Sequence, residues 1–114
     1  MSFVYRHAKV ERVIDGDTVE ITVDLGNKIA WRESFRLMGI DTPERGQPGH
    51  AEASAYLKRL LLMPLARIET HKPDKYGRWL VDMYLDTDSG GELHANRLMV
   101  VEGHAREYFG GHKP

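Results

Sequence analysis

The 114-residue chain contains no cysteine. That absence excludes disulfide staples, thiol nucleophiles and thiolate metal sites together. No apolar run approaches the roughly 20 residues that a membrane-spanning helix needs, so no membrane partner is expected. The opening residues, Met1-Ser2-Phe3-Val4-Tyr5-Arg6-His7, lack the order of basic stretch then apolar core that marks a secretory signal, and a cytoplasmic protein is the expectation. An excess of one charge is also missing: 16 Lys and Arg face 17 Asp and Glu, a net charge of -1. A broad basic coat for duplex DNA is thereby excluded, and any nucleic-acid binding must rely on a local cluster or a bound cation. There are no repeats, low-complexity segments or linkers, so residues 1–114 read as one domain with a real core. None of the six histidines (His7, His50, His71, His94, His104, His112) pairs with another at helical i+3 or i+4 spacing, and a catalytic zinc site is not expected.

What is present reads first as strands. Residues 4–14 are rich in β-formers and end in the turn signal Asp15-Gly16-Asp17. Val19, Ile21, Val23 and Leu25 then alternate with Thr18, Glu20, Thr22 and Asp24, the period of a strand with one buried face. Gly26-Asn27 predicts a hairpin turn, and residues 29–40 a third strand. Ala53, Leu57, Leu60 and Leu61 at i, i+4, i+7 and i+8 predict a helix over 50–62, stopped by Pro64. Ala66, Ile68 and Thr70 suggest a fourth strand. After the turn at residues 73–77, a fifth carries Trp79, Val81, Met83 and Leu85 on one face. A second helix is predicted over 93–102, closed by Gly103, and the tail is given little structure. Five short strands with a helix between the third and fourth suggest a small closed or nearly closed barrel, mainly β in an α+β chain.

The chemistry is concentrated at the strand ends. Asp17 shares parity with Val19 and Ile21, which aims it inward, where a carboxylate calls for a cation or several donors. The bland alternative is a tight turn in which Asp17 bonds its own backbone. Asp41 and Glu44 follow another strand. Asp17 and Asp41 are candidates to share one hard divalent cation, with a backbone carbonyl and water, and calcium accepts such an oxygen-only set. Arg36 leaves the apolar row of Phe35 and Leu37, and Arg78 opens the fifth strand. Two guanidiniums beside a cation would clamp a phosphodiester, although a lone arginine at a strand edge is ordinarily a surface residue. Phosphodiester hydrolysis needs neutralised charge, an oriented water and a group that takes its proton, and these five residues supply each.

The same residues carry a family resemblance. The chain resembles the staphylococcal nuclease (thermonuclease) family over nearly its whole length, through Val13-Ile14-Asp15-Gly16-Asp17-Thr18, Phe35-Arg36-Leu37 with Asp41-Thr42-Pro43-Glu44, Glu52-Ala53-Ser54, Asp74-Lys75-Tyr76-Gly77-Arg78 and the stretch from Asn96 to Gly103. The resemblance implies a five-stranded OB-fold barrel with two helices. It implies calcium held by Asp17, Asp41 and the backbone carbonyl of Thr42, with Glu44 orienting or deprotonating the attacking water. Arg36 and Arg78 would hold the phosphate, and Lys75 and Tyr76 would line the nucleotide pocket. Either Tyr108 or Phe109 would contact the base. The implied activity is non-specific cleavage of DNA and RNA, single-stranded or locally opened, leaving 3′-phosphate ends. Against the family, the segment after Glu44 (residues 45–49) is short, and the third, C-terminal helix is expected to be missing. A monomer is expected, with the surface such a helix would cover open to a partner. A non-catalytic nucleic-acid or protein-binding module on the same barrel is the alternative. Its members have lost the carboxylates and arginines that are retained here.

Overall fold

A computed structural model describes residues 2–108 of the chain. In chain order the elements are β1 (Ser2–Tyr5), β2 (Ala8–Asp15), β3 (Thr18–Asp24), β4 (Ala30–Leu37), β5 (Ile40–Asp41), α1 (His50–Leu60), β6 (Leu65–His71), β7 (Trp79–Asp86), β8 (Glu92–His94), α2 (Ala95–Val101) and β9 (Arg106–Glu107). The main sheet runs β1-β6-β7-β4-β3-β2, with β8 on the flank of β7, and β5 pairs separately with β9. The two ends of that path, β1 and β2, are consecutive in sequence. β1 pairs antiparallel with β6 (Ser2↔His71) and β2 pairs with β3 (Ala8↔Val23), so one run changes partner at Arg6-His7 and the sheet curls until its ends meet through the chain itself. Five walls result, β1 with β2, β3, β4, β6 and β7, in a mainly β fold with two helices among the described residues.

The inward rows are those that period-2 alternation predicts. Val19, Ile21 and Val23 of β3, Phe35 and Leu37 of β4, Ile68 of β6, and Val81, Met83 and Leu85 of β7 are fully buried. Ala53 and Leu57 of α1 and Met99 of α2 cap the same core. Each large apolar side chain so buried contributes about 1.5–3 kcal/mol. Trp31 packs edge-to-face on Phe35 and Trp79 at centroid distances of 5.2 and 5.0 Å, beside the parallel pairing of β4 with β7. Leu25, expected in the buried row, lies beyond β3 at the hairpin and is exposed.

Several expected boundaries move, each for a local reason. The strand expected over 4–14 is two strands, because its halves pair with different neighbours. The strand expected over 29–40 ends at Leu37, since Gly39 takes a left-handed φ of 79° and turns the chain into β5. The helix expected to reach 62 stops at Leu60, where Leu62 and Met63 donate to Arg59 and Leu60 in tight turns ahead of Pro64. The second helix starts at Ala95, because Glu92-Leu93-His94 pair with β7 instead. Gly103 (φ 80°) does close it: His104 N–H donates to Met99 O at 2.9 Å and Gly103 N–H to Val100 O at 3.0 Å. The tail expected to be irregular forms β9, pairing Ile40 with Glu107 and Asp41 with Arg106.

Two polar groups tie these elements together. Asn96 is buried, accepts Met83 N–H at 3.0 Å, and donates to Met38 O at 3.0 Å and Val81 O at 2.9 Å, which locks α2 to β7 and the exit of β4. On the outer side of β7, the Asp82 carboxylate receives His71 Nε2 at 2.8 Å and His94 Nε2 at 2.7 Å, one imidazole per oxygen. Burial alone would raise the Asp82 pKa. The two imidazole hydrogen bonds and their charge outweigh it and hold that carboxyl below the usual aspartate range.

Candidate active site

The β2–β3 turn is pressed into place by a missing side chain. A Cβ on Gly16 would lie 2.8 Å from Ala53 Cβ and 3.2 Å from Thr42 Oγ1, so only glycine lets this turn pack against α1 and Thr42. Asp17 sits in that turn, between the strands and not in the inward row expected of it. Its carboxylate does not fold back on its own backbone. Oδ2 accepts the Thr42 N–H at 3.3 Å and Oδ1 accepts the Thr18 hydroxyl at 3.1 Å, while the Asp17 carbonyl accepts Leu37 N–H at 2.8 Å.

Arg36 meets that turn from β4. Parity turns it away from the core row, as expected, yet it is only 8% exposed, which excludes an ordinary surface arginine. Its Nη2 donates to Asp41 Oδ1 at 3.2 Å and lies 3.6 Å from Asp17 Oδ2, so one guanidinium nitrogen joins both carboxylates. The Tyr108 ring lies over the same guanidinium, 5.5 Å from centroid to Cζ. Asp41 Oδ2 accepts a second arginine, Arg106 Nη2, at 3.2 Å. Sequence reasoning passes over Arg106, whose approach to Asp41 depends on the β5–β9 pairing.

A cavity of about 320 Å³ lies over this group. Asp17, Arg36, Asp41, Thr42, Glu44, Tyr76, Arg78 and Tyr108 all line it, so the structure brings the residues singled out from the strand ends to one space. Glu44 is exposed there, on a turn in which its N–H donates to Gln47 Oε1 at 2.9 Å and its carbonyl accepts Gln47 N–H at 2.9 Å. A second cavity of about 320 Å³ adjoins the first, shares Arg36, Tyr76, Arg78 and Tyr108 with it, and adds Met38, Gly39, Asp74, Lys75 and Leu80. A polar recess therefore opens beside one with apolar walls. Phe109, the other candidate for base contact, lies outside the described residues.

Arg78 departs from expectation. It precedes β7 instead of opening it, and its guanidinium is latched to Asp74 Oδ2, Nε at 2.9 Å and Nη2 at 2.8 Å. Asp74 Oδ1 in turn accepts the backbone N–H groups of Tyr76 (2.8 Å) and Arg78 (3.0 Å). Desolvation would raise the Asp74 pKa. The two backbone donors and the Arg78 guanidinium prevail and hold it below the usual aspartate value. In the sequence Asp74 is a turn residue and the first of the family-like stretch 74–78, with no role of its own assigned. Tyr76, 68% exposed, stands between two cations, Lys75 Nζ at 5.3 Å and Arg78 Cζ at 5.2 Å from its ring centre.

Comparison with known proteins is consistent with this arrangement. The family model described as staphylococcal nuclease homologue matches residues 34–114, which include Arg36, Asp41, Glu44 and Arg78 but not Asp17. The thermonuclease of Staphylococcus hyicus is 39% identical over 109 residues, covering 89% of this chain and 59% of its own. That of Staphylococcus intermedius is 37% identical over 108 residues, covering 88% and 58%. An SPbeta prophage-derived endonuclease, YokF, of Bacillus subtilis is 33% identical over 106 residues, covering 85% and 32%. The chain thus spans less than two thirds of the length of these relatives. The chain belongs to the staphylococcal nuclease homologue family.

Proposed function

We propose that the chain is a calcium-dependent nuclease that hydrolyses phosphodiester bonds of DNA and RNA with little sequence preference and leaves 3′-phosphate ends. The observation that carries this reading is a single guanidinium, Arg36, held between two carboxylates on the wall of a cavity that Glu44 and Arg78 also line. The thermonuclease and endonuclease names of the relatives support it.

The donor set suits a calcium ion. Among the described residues no three His, Asp or Glu are grouped to hold a metal, so side-chain carboxylates alone do not complete a site and carbonyl and water oxygens would have to. Asp17 and Asp41 meet on one guanidinium, and they offer hard oxygens of the kind that calcium takes in irregular sets completed by carbonyls and water. Asp17, Asp41 and the carbonyl of Thr42 would hold it. When bound, it supplies positive charge against the phosphate and makes a neighbouring water easier to deprotonate.

The remaining steps belong to the protein's own side chains. Glu44 takes a proton from water as the water oxygen bonds to phosphorus. The bond to the 5′ oxygen breaks, that oxygen leaves with the electron pair and gains a proton, and the phosphate stays on the 3′ side. Arg36 and Arg78 donate to the phosphate oxygens on which negative charge builds. Arg78 gives Asp74 only Nε and Nη2, so its remaining N–H groups are available to the phosphate from the cavity wall while the latch holds it in place. Tyr76 and Tyr108, together with Lys75, border the recess beside the phosphate position, where an unpaired base would stack, so single-stranded or locally opened substrate is favoured.

The test incubates the protein with single-stranded DNA, duplex DNA and RNA in parallel, with calcium, with magnesium or with chelator. Cleavage in calcium alone, with product ends that need phosphatase before a polymerase can extend them, supports the reading. Cleavage undiminished by chelator overturns the calcium requirement. Tight binding with no cleavage in any arm overturns catalysis in favour of a binding module.

A further inference from the structure

Glu44 stands on a short exposed turn, where a carboxylate would ordinarily wander. The turn is fastened by a residue to which the mechanism above gives no task. On the near side, the Pro43 carbonyl receives His50 Nδ1 at 3.1 Å, and since a carbonyl only accepts, that nitrogen carries the proton. On the far side, Arg45 Nη2 lies 3.5 Å from Asp15 Oδ1. His50 Nε2 lies 3.6 Å from the same Asp15 oxygen, beyond hydrogen-bond distance. The end of β2 thus lies beside both flanks of the turn, and the hydrogen bond from His50 to Pro43 is the contact that holds it.

His50 is the first residue of α1, and its ring is largely buried. It does not use that ring to cap the helix: the cap position is Gly49, with no side-chain cap bond. The ring reaches back over the turn instead. Gly49 allows this closure, since it holds a left-handed φ of 92° and a Cβ there would meet Pro43 Cγ at 3.2 Å.

We propose that His50 is a positioning residue for Glu44, its Nδ1–H bond to the Pro43 carbonyl fixing the 43–45 backbone so that the carboxylate faces the cavity. The proposal rests on the reading of Glu44 as the group that takes the proton. A proton acceptor works only within hydrogen-bond reach of its water, and a displacement of about 1 Å can cost roughly 10²-fold in rate. Loss of the clamp therefore falls on turnover rather than on substrate affinity, because the phosphate and base contacts lie elsewhere.

The experiment compares His50→Ala, His50→Asn and His50→Gln with the parent on single-stranded DNA in calcium, alone and combined with Glu44→Ala. Asparagine places its amide N–H where Nδ1 stands and keeps the bond to Pro43; glutamine reaches toward Asp15 and does not. His50→Ala should lower kcat on the order of 10-fold while KM changes by less than about twofold. His50→Asn should recover most of that loss and His50→Gln little of it. In the Glu44→Ala background the His50 substitution should have almost no further effect. An equal loss with or without Glu44, or asparagine behaving like alanine, overturns the assignment of His50. Full activity of Glu44→Ala by itself overturns instead the reading of Glu44 on which the assignment stands.

Discussion

The Asp17 carboxylate accepts the backbone N–H of Thr42 at 3.3 Å, which joins two turns 25 residues apart. The contact exists because Gly16 lets the first turn lie flat on Ala53 and Thr42. Gly16 does not take a left-handed backbone, so alanine there is penalised by contact and not by torsion. Gly16→Ala should cost about 1–3 kcal/mol by overpacking. Ala53→Gly should cost about 1 kcal/mol alone as a helix substitution, yet relieve part of the Gly16→Ala loss when combined with it. Urea unfolding of the four proteins measures the coupling, and simple additivity would mean that the two residues do not press on each other.

The catalytic role proposed for Arg36 and its place between two carboxylates separate on substitution. Arg36→Lys keeps a charge near Asp17 and Asp41 but loses the planar fork, and kcat should fall roughly 10²–10³-fold. Arg36→Met leaves two nearly buried carboxylates facing each other, with Arg106 on Asp41 alone, and should destabilise the fold by about 3–5 kcal/mol without calcium. Chemical unfolding in chelator checks the second figure; an unchanged midpoint would mean that the ion pairs contribute nothing net.

For Glu44, exposed and away from the core, substitution should spare the fold and strike the rate. Glu44→Ala should retain the parent's melting temperature while losing about 10²–10⁴-fold in kcat. A melting curve and a turnover assay on the same preparation decide it, and retained turnover would remove Glu44 from the mechanism.

Asp82 gives a pH dependence whose sign follows from its environment. Its folded pKa is depressed, so its contribution to stability is complete above the unfolded value of about 3.9 and is lost as pH falls through the folded value. Asp82→Asn should cost about 1–3 kcal/mol at neutral pH, since an amide offers one acceptor oxygen to two imidazoles. That difference should shrink only below about pH 4. Unfolding midpoints of parent and variant between neutral pH and pH 3 measure it; a difference undiminished between pH 4 and pH 3 would refute the assignment.

Much of the fold was legible where a single period governs. Val19, Ile21 and Val23 alternate because one face of β3 is buried, and no neighbour had to be known to see it. The break at Arg6-His7 was not legible, because no Gly or Pro marks it and only the change of partner from β6 to β3 makes it. Leu93 and His94 could be read as helix or strand over so short a stretch, and β7 decided for strand. Near the cavity, Asp17, Arg36 and Asp41 could be singled out because charged residues gather at strand ends. The latch of Asp74 on Arg78 and the reach of Arg106 to Asp41 could not, since side-chain direction is set by folded neighbours rather than by spacing.

The junction at Arg6-His7 has a consequence for behaviour in concentrated solution. Because β1 lies along β6 from Ser2↔His71 to Tyr5↔Ile68, those four residues occupy hydrogen-bonding groups that would otherwise stand open on β6. Were they peeled away, β6 would present an unprotected edge to the next molecule, an invitation to strand exchange and aggregation.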